Sequence, residues 1–166
     1  FPYLVENNIK TLVHLGDVVD RRKFINHNTA HNFKKVFWNK LEELNIDTHI
    51  IIGNHDTYYK NTNEVNALQN LNISKDAKIY TRPDTVNFDG LDILFLPWIC
   101  DDNHDDSIYA IDNSTTTIAM GHLEVKGFEM HKGHFNDQGL EKTQFNKFEK
   151  VLSGHFHKKS DDGRIY

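Results

Sequence analysis

Short apolar runs alternate along the chain with a longer stretch in which apolar residues recur at helical spacing. The runs at residues 11–16 (TLVHLG) and 48–53 (THIIIG) are typical of buried strands. Between them, the spacing of the apolar residues predicts one long helix over residues 24–44. Because strands and helices alternate, the pattern predicts an α/β fold.

The same pattern predicts the remaining elements and a point where they converge. Further strands are predicted at residues 78–80, 85–89, 92–96, 116–121 and 150–154, with a short helix at 63–71 and a hairpin turn at Asp89-Gly90. The strands at 11–16, 48–53, 116–121 and 150–154 each end in a glycine that a polar residue follows. Ligands of open α/β folds lie beyond the carboxyl ends of the strands. We therefore expect these strand ends to form one site.

Composition narrows the class of protein. A chain of 166 residues with 38% hydrophobic and 26% charged residues is typical of a single globular domain. No apolar run reaches the roughly 20 residues that span a bilayer, and the first residues lack the basic start of a secretory signal, so a cytoplasmic protein without membrane contact is expected. The single cysteine, Cys100, excludes an internal disulfide and a metal site built on several thiolates. Any metal ion must be held by nitrogen and oxygen.

Charge is distributed unevenly along the chain. Eight acidic residues and no Lys or Arg lie between Asp84 and Asp112 in a chain of net charge -5, so the remainder carries about +3. Such a segment is typical of a solvated acidic surface, and the alternative is a surface that binds a basic partner. The net negative charge is therefore local and does not exclude a nucleic-acid substrate.

The polar residues at the strand ends form four short motifs. They read GDVVDR at 16–21, GNHD at 53–56, GH at 121–122 and GHFH at 154–157, and each places a metal-capable side chain directly after a glycine. Taken singly, each motif is typical of a hydrogen-bonded loop. Together, in order and at strand ends, they favour a metal centre. His155 and His157 are two residues apart, so in extended backbone they could reach two ions spaced about 3.5–4 Å apart, which the Asp17 carboxylate could bridge.

This ordered set of motifs resembles the signature of the calcineurin-like metallophosphoesterases, over nearly the whole chain. Within that superfamily, the segments IIGNHDTYYKN, LPWIC, MGHLEVKGF and LSGHFH are most similar to the recombination nuclease subunit of T-even-like phages, which is itself similar to SbcD and the Mre-type repair nucleases. The resemblance implies an α/β/β/α sandwich, layered in that order, with the metal site at the carboxyl ends of the strands.

The resemblance also implies two divalent metal ions, with manganese expected and iron, zinc or magnesium as alternatives. It implies that Asp17 bridges the ions, that Asn54, His122 and His155 hold one of them, and that His157 helps to hold the other. In the family an Asp-x-His pair on the first strand completes the set of ligands around the second ion, and no such pair precedes Asp17. Residues 1–166 are therefore expected to form a single domain truncated at both ends, without that first strand and without the region that follows in relatives.

Three further residues receive roles near the substrate. The resemblance implies that His55 faces the scissile phosphate and assists the leaving oxygen, and that Asp20 orients the His55 ring. Arg21 could contact a substrate phosphate or form a structural salt bridge.

The aromatic residues near the motifs are expected to pack in the core or anchor loops, with base stacking as the alternative; they are Tyr58, Tyr59, Phe128 and Phe135.

The resulting hypothesis is a metal-dependent DNA nuclease of recombination or repair, in which metal-activated hydroxide attacks phosphorus. The resemblance implies a coiled-coil ATPase partner similar to SbcC, a homodimer, and the host cytoplasm if the protein is phage-encoded. One alternative is a phosphomonoesterase or protein phosphatase, but Ile52 stands where protein phosphatases carry a phosphate-gripping arginine. Another alternative is a non-catalytic scaffold with this fold, which the retained ligand set disfavours.

Overall fold

A computed structural model of the chain describes residues 1–71, 77–131, 133–157 and 162–166. The helices are α1 (Pro2–Glu6), α2 (His27–Phe33), α3 (Asn39–Glu43), α4 (Ala67–Asn70) and α5 (His104–Asn113), with a π-helical segment (Lys34–Trp38) and a 3₁₀ turn (Lys142–Phe145). The strands are β1 (Thr11–His14), β2 (Asp47–Ile51), β3 (Lys78–Tyr80), β4 (Asp84–Phe88), β5 (Leu91–Leu96), β6 (Ile118–Gly121), β7 (Glu129–His131), β8 (His134–Phe135) and β9 (Lys150–Ser153).

The main strands form two sheets. The first has the order β1-β2-β3 and is parallel throughout. The second has the order β4-β5-β6-β9, in which only the β4–β5 hairpin is antiparallel. The predicted hairpin turn is confirmed, because Asp89 and Gly90 both have positive φ, 51° and 93°, and Phe88 pairs with Leu91.

The two sheets pack face to face through alternate residues of their strands. Ile51 of the first sheet and Ile93 and Phe95 of the second are buried in one cluster between them. The adjacent residues, Ile50 in β2 and Leu94 in β5, point to the opposite faces and are buried there as well. Burial on both faces explains why the strands read as continuous apolar runs rather than as alternating ones.

Helices cover both outer faces. On the first sheet, Ile50 and Ile52 pack against Trp38 and Leu41 of the helical stretch. On the second sheet, a buried cluster joins strand residues to α5 and the 3₁₀ turn; it includes Leu94, Leu96, Ala119, Val151, Ile111, Phe145 and Phe148. The layers therefore run α/β/β/α, which confirms the predicted fold.

Several predicted boundaries differ from the structure. The predicted helix over 24–44 is instead α2, the π-helical segment and α3, and it begins only at His27 because the Asn26 side chain caps it, with Oδ1 accepting from Thr29 N–H at 2.8 Å. Strand β1 ends at His14 because Gly16 and Asp17 adopt positive φ, 92° and 53°. The predicted helix over 63–71 shortens to α4, and the β7–β8 hairpin had no sequence-based prediction.

No helix within the described ranges is both long enough and apolar enough to cross a bilayer.

We expect Phe95→Ala to lower the free energy of unfolding by about 3–5 kcal/mol, because the Phe95 side chain is fully buried between the sheets and its removal leaves a cavity. Urea denaturation measures the change. Phe135→Ala serves as the matched control, since Phe135 is exposed and its truncation should change stability by no more than about 0.5 kcal/mol. Equal losses in both variants would contradict the described packing.

Candidate metal centre

The loops that follow β1, β2, β6 and β9 meet at one edge of the two sheets. Backbone approach there is close: a side chain at Gly53 would overlap the main-chain nitrogen and the carboxylate of Asp17, and one at Gly16 would meet the His122 ring. Glycine is therefore required at both positions for the loops after β1, β2 and β6 to lie against one another. The predicted convergence of the strand ends is present in the structure.

His122 lies at the centre of this convergence. Its side chain has no exposed surface, and Nδ1 lies 2.8 Å from the carbonyl oxygen of Leu15 in the loop after β1. A carbonyl can only accept, so Nδ1 carries the proton and donates it. The other ring nitrogen, Nε2, then faces into the site.

Nε2 of His122 faces the side chains of three other predicted ligands. It lies 2.9 Å from Asn54 Oδ1, 3.1 Å from His155 Nδ1 and 3.3 Å from Asp17 Oδ2. The two oxygens are acceptors, so within this group only a ring nitrogen of His122 or His155 can direct an N–H into the cluster. A proton or a cation must therefore lie among these atoms to offset the repulsion of their lone pairs.

The spacing of the donors fits a divalent cation. Ligands that each lie about 2.1 Å from one ion are about 3.0 Å apart at an octahedral angle and about 3.4 Å at a tetrahedral angle. The separations from His122 Nε2 fall near this range. No group of three or more His, Cys, Asp or Glu side chains in the described part of the chain is arranged as a ready-made metal site. The donors instead bond to one another, with the Asn54 amide among them, so an ion would replace their mutual contacts.

Asp17 is held in a form suited to a cation. Burial opposes its ionisation, but hydrogen bonds from His122 and from the His55 main chain, with their nearby charge, outweigh burial and lower the pKa of its carboxyl. Its φ of 53° is uncommon for a residue with a side chain and turns the carboxylate into the site. Asp17 is therefore ionised at neutral pH.

His155 is held in its neutral form. Burial lowers its pKa, and the neighbouring His122 lowers it further. The far nitrogen, Nε2, lies 3.9 Å from Glu124 Oε1, and that same oxygen accepts a hydrogen bond from Trp98 Nε1 at 3.2 Å. A neutral imidazole is the form that binds metal, and a carboxylate beside the second nitrogen favours the required orientation. The sequence motifs did not predict a role for Glu124, whose only sequence signal is its place two residues after His122.

Asp56 is a buried carboxylate for which the sequence motifs predicted no role. Its side chain has no exposed surface, and its oxygens accept from Gly53 N–H at 2.9 Å and from Val19 N–H at 3.2 Å. Burial raises the pKa of Asp56 to about 6, against the opposing effect of the two hydrogen bonds. Asp56 thereby fastens the loop of Asp17 to the loop of Asn54.

His55 lies beside the donor cluster without joining it. Its main-chain N–H donates to Asp17 Oδ1 at 2.8 Å, and its ring Nδ1 lies 2.7 Å from the main-chain carbonyl oxygen of Asp20. Asp20 therefore contacts the His55 ring through its main-chain carbonyl. The expected contact from the Asp20 carboxylate is not observed, and the Asp20 side chain is exposed. Because Nδ1–H is used by the carbonyl, Nε2 is the atom that can exchange a proton with a ligand.

The remaining predicted site residues lie at the rim. Arg21 is exposed, with its guanidinium 5.5 Å from the centre of the Phe24 ring. His157 is exposed and, in the described part of the chain, forms no hydrogen bond or ion pair with the other predicted ligands. The structure therefore brings together one predicted set of ligands, Asp17, Asn54, His122 and His155, and leaves the second set unassembled.

The aromatic residues near the motifs divide into two groups. Phe128 is buried and stacks on Phe156 with ring centres 5.6 Å apart, as expected for core packing. Tyr58 and Tyr59 are 42% and 51% exposed, and Phe135 is also exposed. Core packing therefore does not account for the tyrosines, which directly follow the Asn54 loop.

Comparison with known proteins agrees with this geometry. The sequence profile of the family described as calcineurin-like phosphoesterase matches residues 1–159. The chain is also 36% identical over 165 residues to exonuclease subunit 1 of Enterobacteria phage T4, an alignment that covers 98% of this chain and 48% of that protein. The chain thus spans about half the length of the curated relative.

We expect Asp56→Ala to lower the free energy of unfolding by about 2–5 kcal/mol, because it leaves the Gly53 and Val19 N–H groups buried without acceptors. Denaturant unfolding measures the loss. Asp101→Ala removes an exposed carboxylate and is the matched control. If both variants unfold alike, Asp56 does not fasten the loops.

We expect His122→Ala to abolish binding of one Mn²⁺ ion, since it removes the nitrogen that the other donors face. Titration calorimetry of metal-free protein measures binding, and the gain in melting temperature with Mn²⁺ gives a second readout. His104→Ala, at an exposed histidine, should bind as the parent protein does. Unchanged affinity after His122→Ala would contradict the ligand assignment.

Proposed function

The chain belongs to the calcineurin-like phosphoesterase family, whose members use divalent metal ions, and we propose that it forms the catalytic centre of a metal-dependent nuclease that hydrolyses phosphodiester bonds in DNA. The observation that carries the proposal is the donor cluster around His122 Nε2 with His55 held beside it. The likeness to a phage exonuclease subunit supports DNA as the substrate.

The proposed ligands are Asp17, Asn54, His122 and His155 for one ion, which we take to be manganese. A second ion is assigned to the Asp17 carboxylate and His157, with His157 reorienting from its exposed position. Oxygen and neutral nitrogen donors without thiolate suit manganese. When bound, the ions supply Lewis-acid stabilisation of the phosphoryl oxygens and activation of water.

The proposed role of His55 is proton donation to the leaving oxygen. The carbonyl of Asp20 fixes the ring by accepting from Nδ1, so that Nε2 is available for the proton that the departing oxygen requires. The main-chain N–H of His55 also donates to Asp17. Movement of the ring is therefore restrained by the same loop that positions a metal ligand.

Arg21 is proposed to contact the phosphate of the substrate. Its guanidinium is exposed and rests on Phe24 rather than on a carboxylate, which leaves its N–H groups available for phosphate oxygens. Ile52, by contrast, is fully buried among the residues under the first sheet and cannot grip a phosphate. This contrast supports a diesterase over a phosphatase of the protein-phosphatase type.

The partners are proposed from likeness alone. The phage relative is by its name a subunit. We propose that the protein containing this chain works in the host cytoplasm as a homodimer with a coiled-coil ATPase subunit. Co-purification of the intact protein with that ATPase tests this proposal.

The proposed activity is tested by assaying one preparation of the intact protein, with Mn²⁺, on a DNA oligonucleotide and on a chromogenic phosphate monoester. Release of nucleotides with poor monoester hydrolysis is the expected result. The reverse preference would establish a phosphomonoesterase, and absence of bound ions under Mn²⁺ would establish a scaffold.

We expect His55→Ala to lower kcat on DNA by about 10²–10⁴-fold with Mn²⁺ affinity unchanged, because alanine retains the main-chain N–H that contacts Asp17 but has no acidic side chain. Steady-state kinetics and calorimetry measure the two quantities. His104→Ala is the control for an exposed histidine. Loss of metal together with activity would instead make His55 part of the metal site.

We expect Arg21→Ala to raise KM for DNA by about tenfold or more with metal content intact, since a charge-assisted hydrogen bond to phosphate contributes about 1.5–3 kcal/mol. Kinetics across oligonucleotide concentration measure KM. Lys35→Ala removes an exposed cation on the helical layer and should leave KM unchanged. An unaltered KM in Arg21→Ala would exclude this role.

A further inference from the structure

A groove of about 380 Å³ lies between residues 22–30, which lead into α2, and residues 58–71, which lead through α4. The residues that matter to its chemistry are Arg22, Lys23, Phe24, His27 and Tyr58. We propose that this groove binds a single-stranded segment of nucleic acid, holding a phosphate at Arg22 and bases on Phe24 and Tyr58. This proposal rests on the proposed function and adds to it a binding subsite outside the metal centre.

Arg22 is a cation without an anionic partner. Its guanidinium lies 4.9 Å from the centre of the Trp98 ring, and its Nη1 is buried with no hydrogen-bond partner. Among the described residues no carboxylate forms an ion pair with it. Arg22 also lines the groove, so its uncompensated positive charge lies beside any phosphate bound there.

Trp98 keeps the Arg22 guanidinium in place. The Trp98 ring is 8% exposed, and its Nε1 donates to Glu124, so the ring cannot turn away without losing that bond. Stacking on an aromatic face leaves the edge of a guanidinium free for planar hydrogen bonding. The arginine is therefore positioned before any ligand arrives.

The groove also carries aromatic surface that the core does not use. Phe24 is 60% exposed and Tyr58 is 42% exposed. The Tyr58 ring packs edge-on against Tyr59 with centres 4.7 Å apart, which limits its motion. Cations that alternate with exposed rings are the pattern by which proteins hold single strands, because each base can stack while the phosphates meet the cations.

The groove adjoins the loop that leads from Asp17, beside the metal centre. Phe24 and Ile25 also line a second depression of about 270 Å³ that includes Asp20 and Arg21. The Asp20 carbonyl holds the His55 ring at the metal centre. A strand that follows these residues would pass from His55, past Arg21 and Phe24, to Arg22.

Charge complementarity favours a polyanion as the occupant. Arg21, Arg22 and Lys23 are consecutive, and no acidic side chain is among the described residues that line the groove. The acidic residues of the chain are concentrated instead between Asp84 and Asp112. An acidic peptide would satisfy the cations but offers no bases to stack on Phe24 and Tyr58.

The test uses binding rather than hydrolysis. The intact protein is titrated, in EDTA and at several salt concentrations, into a fluorescein-labelled oligothymidylate of about 12 nucleotides, a length within the range that single-strand sites cover. Fluorescence anisotropy gives the dissociation constant. The variants are Arg22→Gln and Phe24→Ala, and the matched controls are Lys150→Gln and Tyr109→Ala, which change an exposed cation and an exposed ring on other parts of the surface.

We expect each groove variant to weaken binding by at least about fivefold, the controls to bind as the parent does, and Arg22→Gln to lower the slope of log K against log salt by about 0.7. Groove variants that bind like the controls would overturn the proposal. So would displacement of the oligonucleotide by polyglutamate at equal charge, which would assign the groove to an acidic peptide.

The outcomes separate this proposal from the proposed function. If the parent protein fails to cleave DNA but the groove variants still bind the oligonucleotide more weakly, the nuclease proposal fails and the groove stands. If the parent cleaves DNA and the groove variants bind normally, the groove fails and the nuclease proposal stands.

Discussion

The candidate site depends on one hydrogen bond, from Nδ1 of the buried His122 to the carbonyl oxygen of Leu15 at 2.8 Å. That bond uses the proton on Nδ1 and directs Nε2 into the site. Asn54 Oδ1 and Asp17 Oδ2 both face Nε2, so the polar centre of the fold is rich in acceptors. A cation is the simplest means of satisfying it.

The same bond joins the two halves of the sandwich. Leu15 follows β1 of the first sheet, whereas His122 follows β6 of the second. Metal binding at this junction should therefore stabilise the packing of one sheet on the other as well as the local loops. Asp56 contributes within the first sheet by fastening the loop after β1 to the loop after β2. The site is consequently a property of the layered fold and not of any single motif.

Local pattern was sufficient for the α/β class and for the convergence of the strand ends, whereas the α/β/β/α layering was implied by the family resemblance. Strands buried on both faces read as continuous apolar runs, and glycine followed by a polar residue marks each strand end, so both features are visible within a few residues of sequence. Contacts between distant residues were not visible in that way. The bond between Val19 and Asp56 spans 37 positions, and the Asp20 contact with His55 uses a backbone atom, for which residue identity carries no signal. The predicted long helix starts too early, because Asn26 caps α2 and the helix begins only at His27. The spacing of apolar residues carries no information about such a cap.

We propose that Asp17, Asn54, His122 and His155 form one cation site. Anomalous X-ray diffraction from a crystal of the intact protein soaked in Mn²⁺ tests it most directly. We expect a manganese peak within about 2.3 Å of Asn54 Oδ1 and His122 Nε2, with Asp17 and His155 completing the shell. A fully soaked crystal with no peak at that point, or with manganese held by other residues, would contradict it.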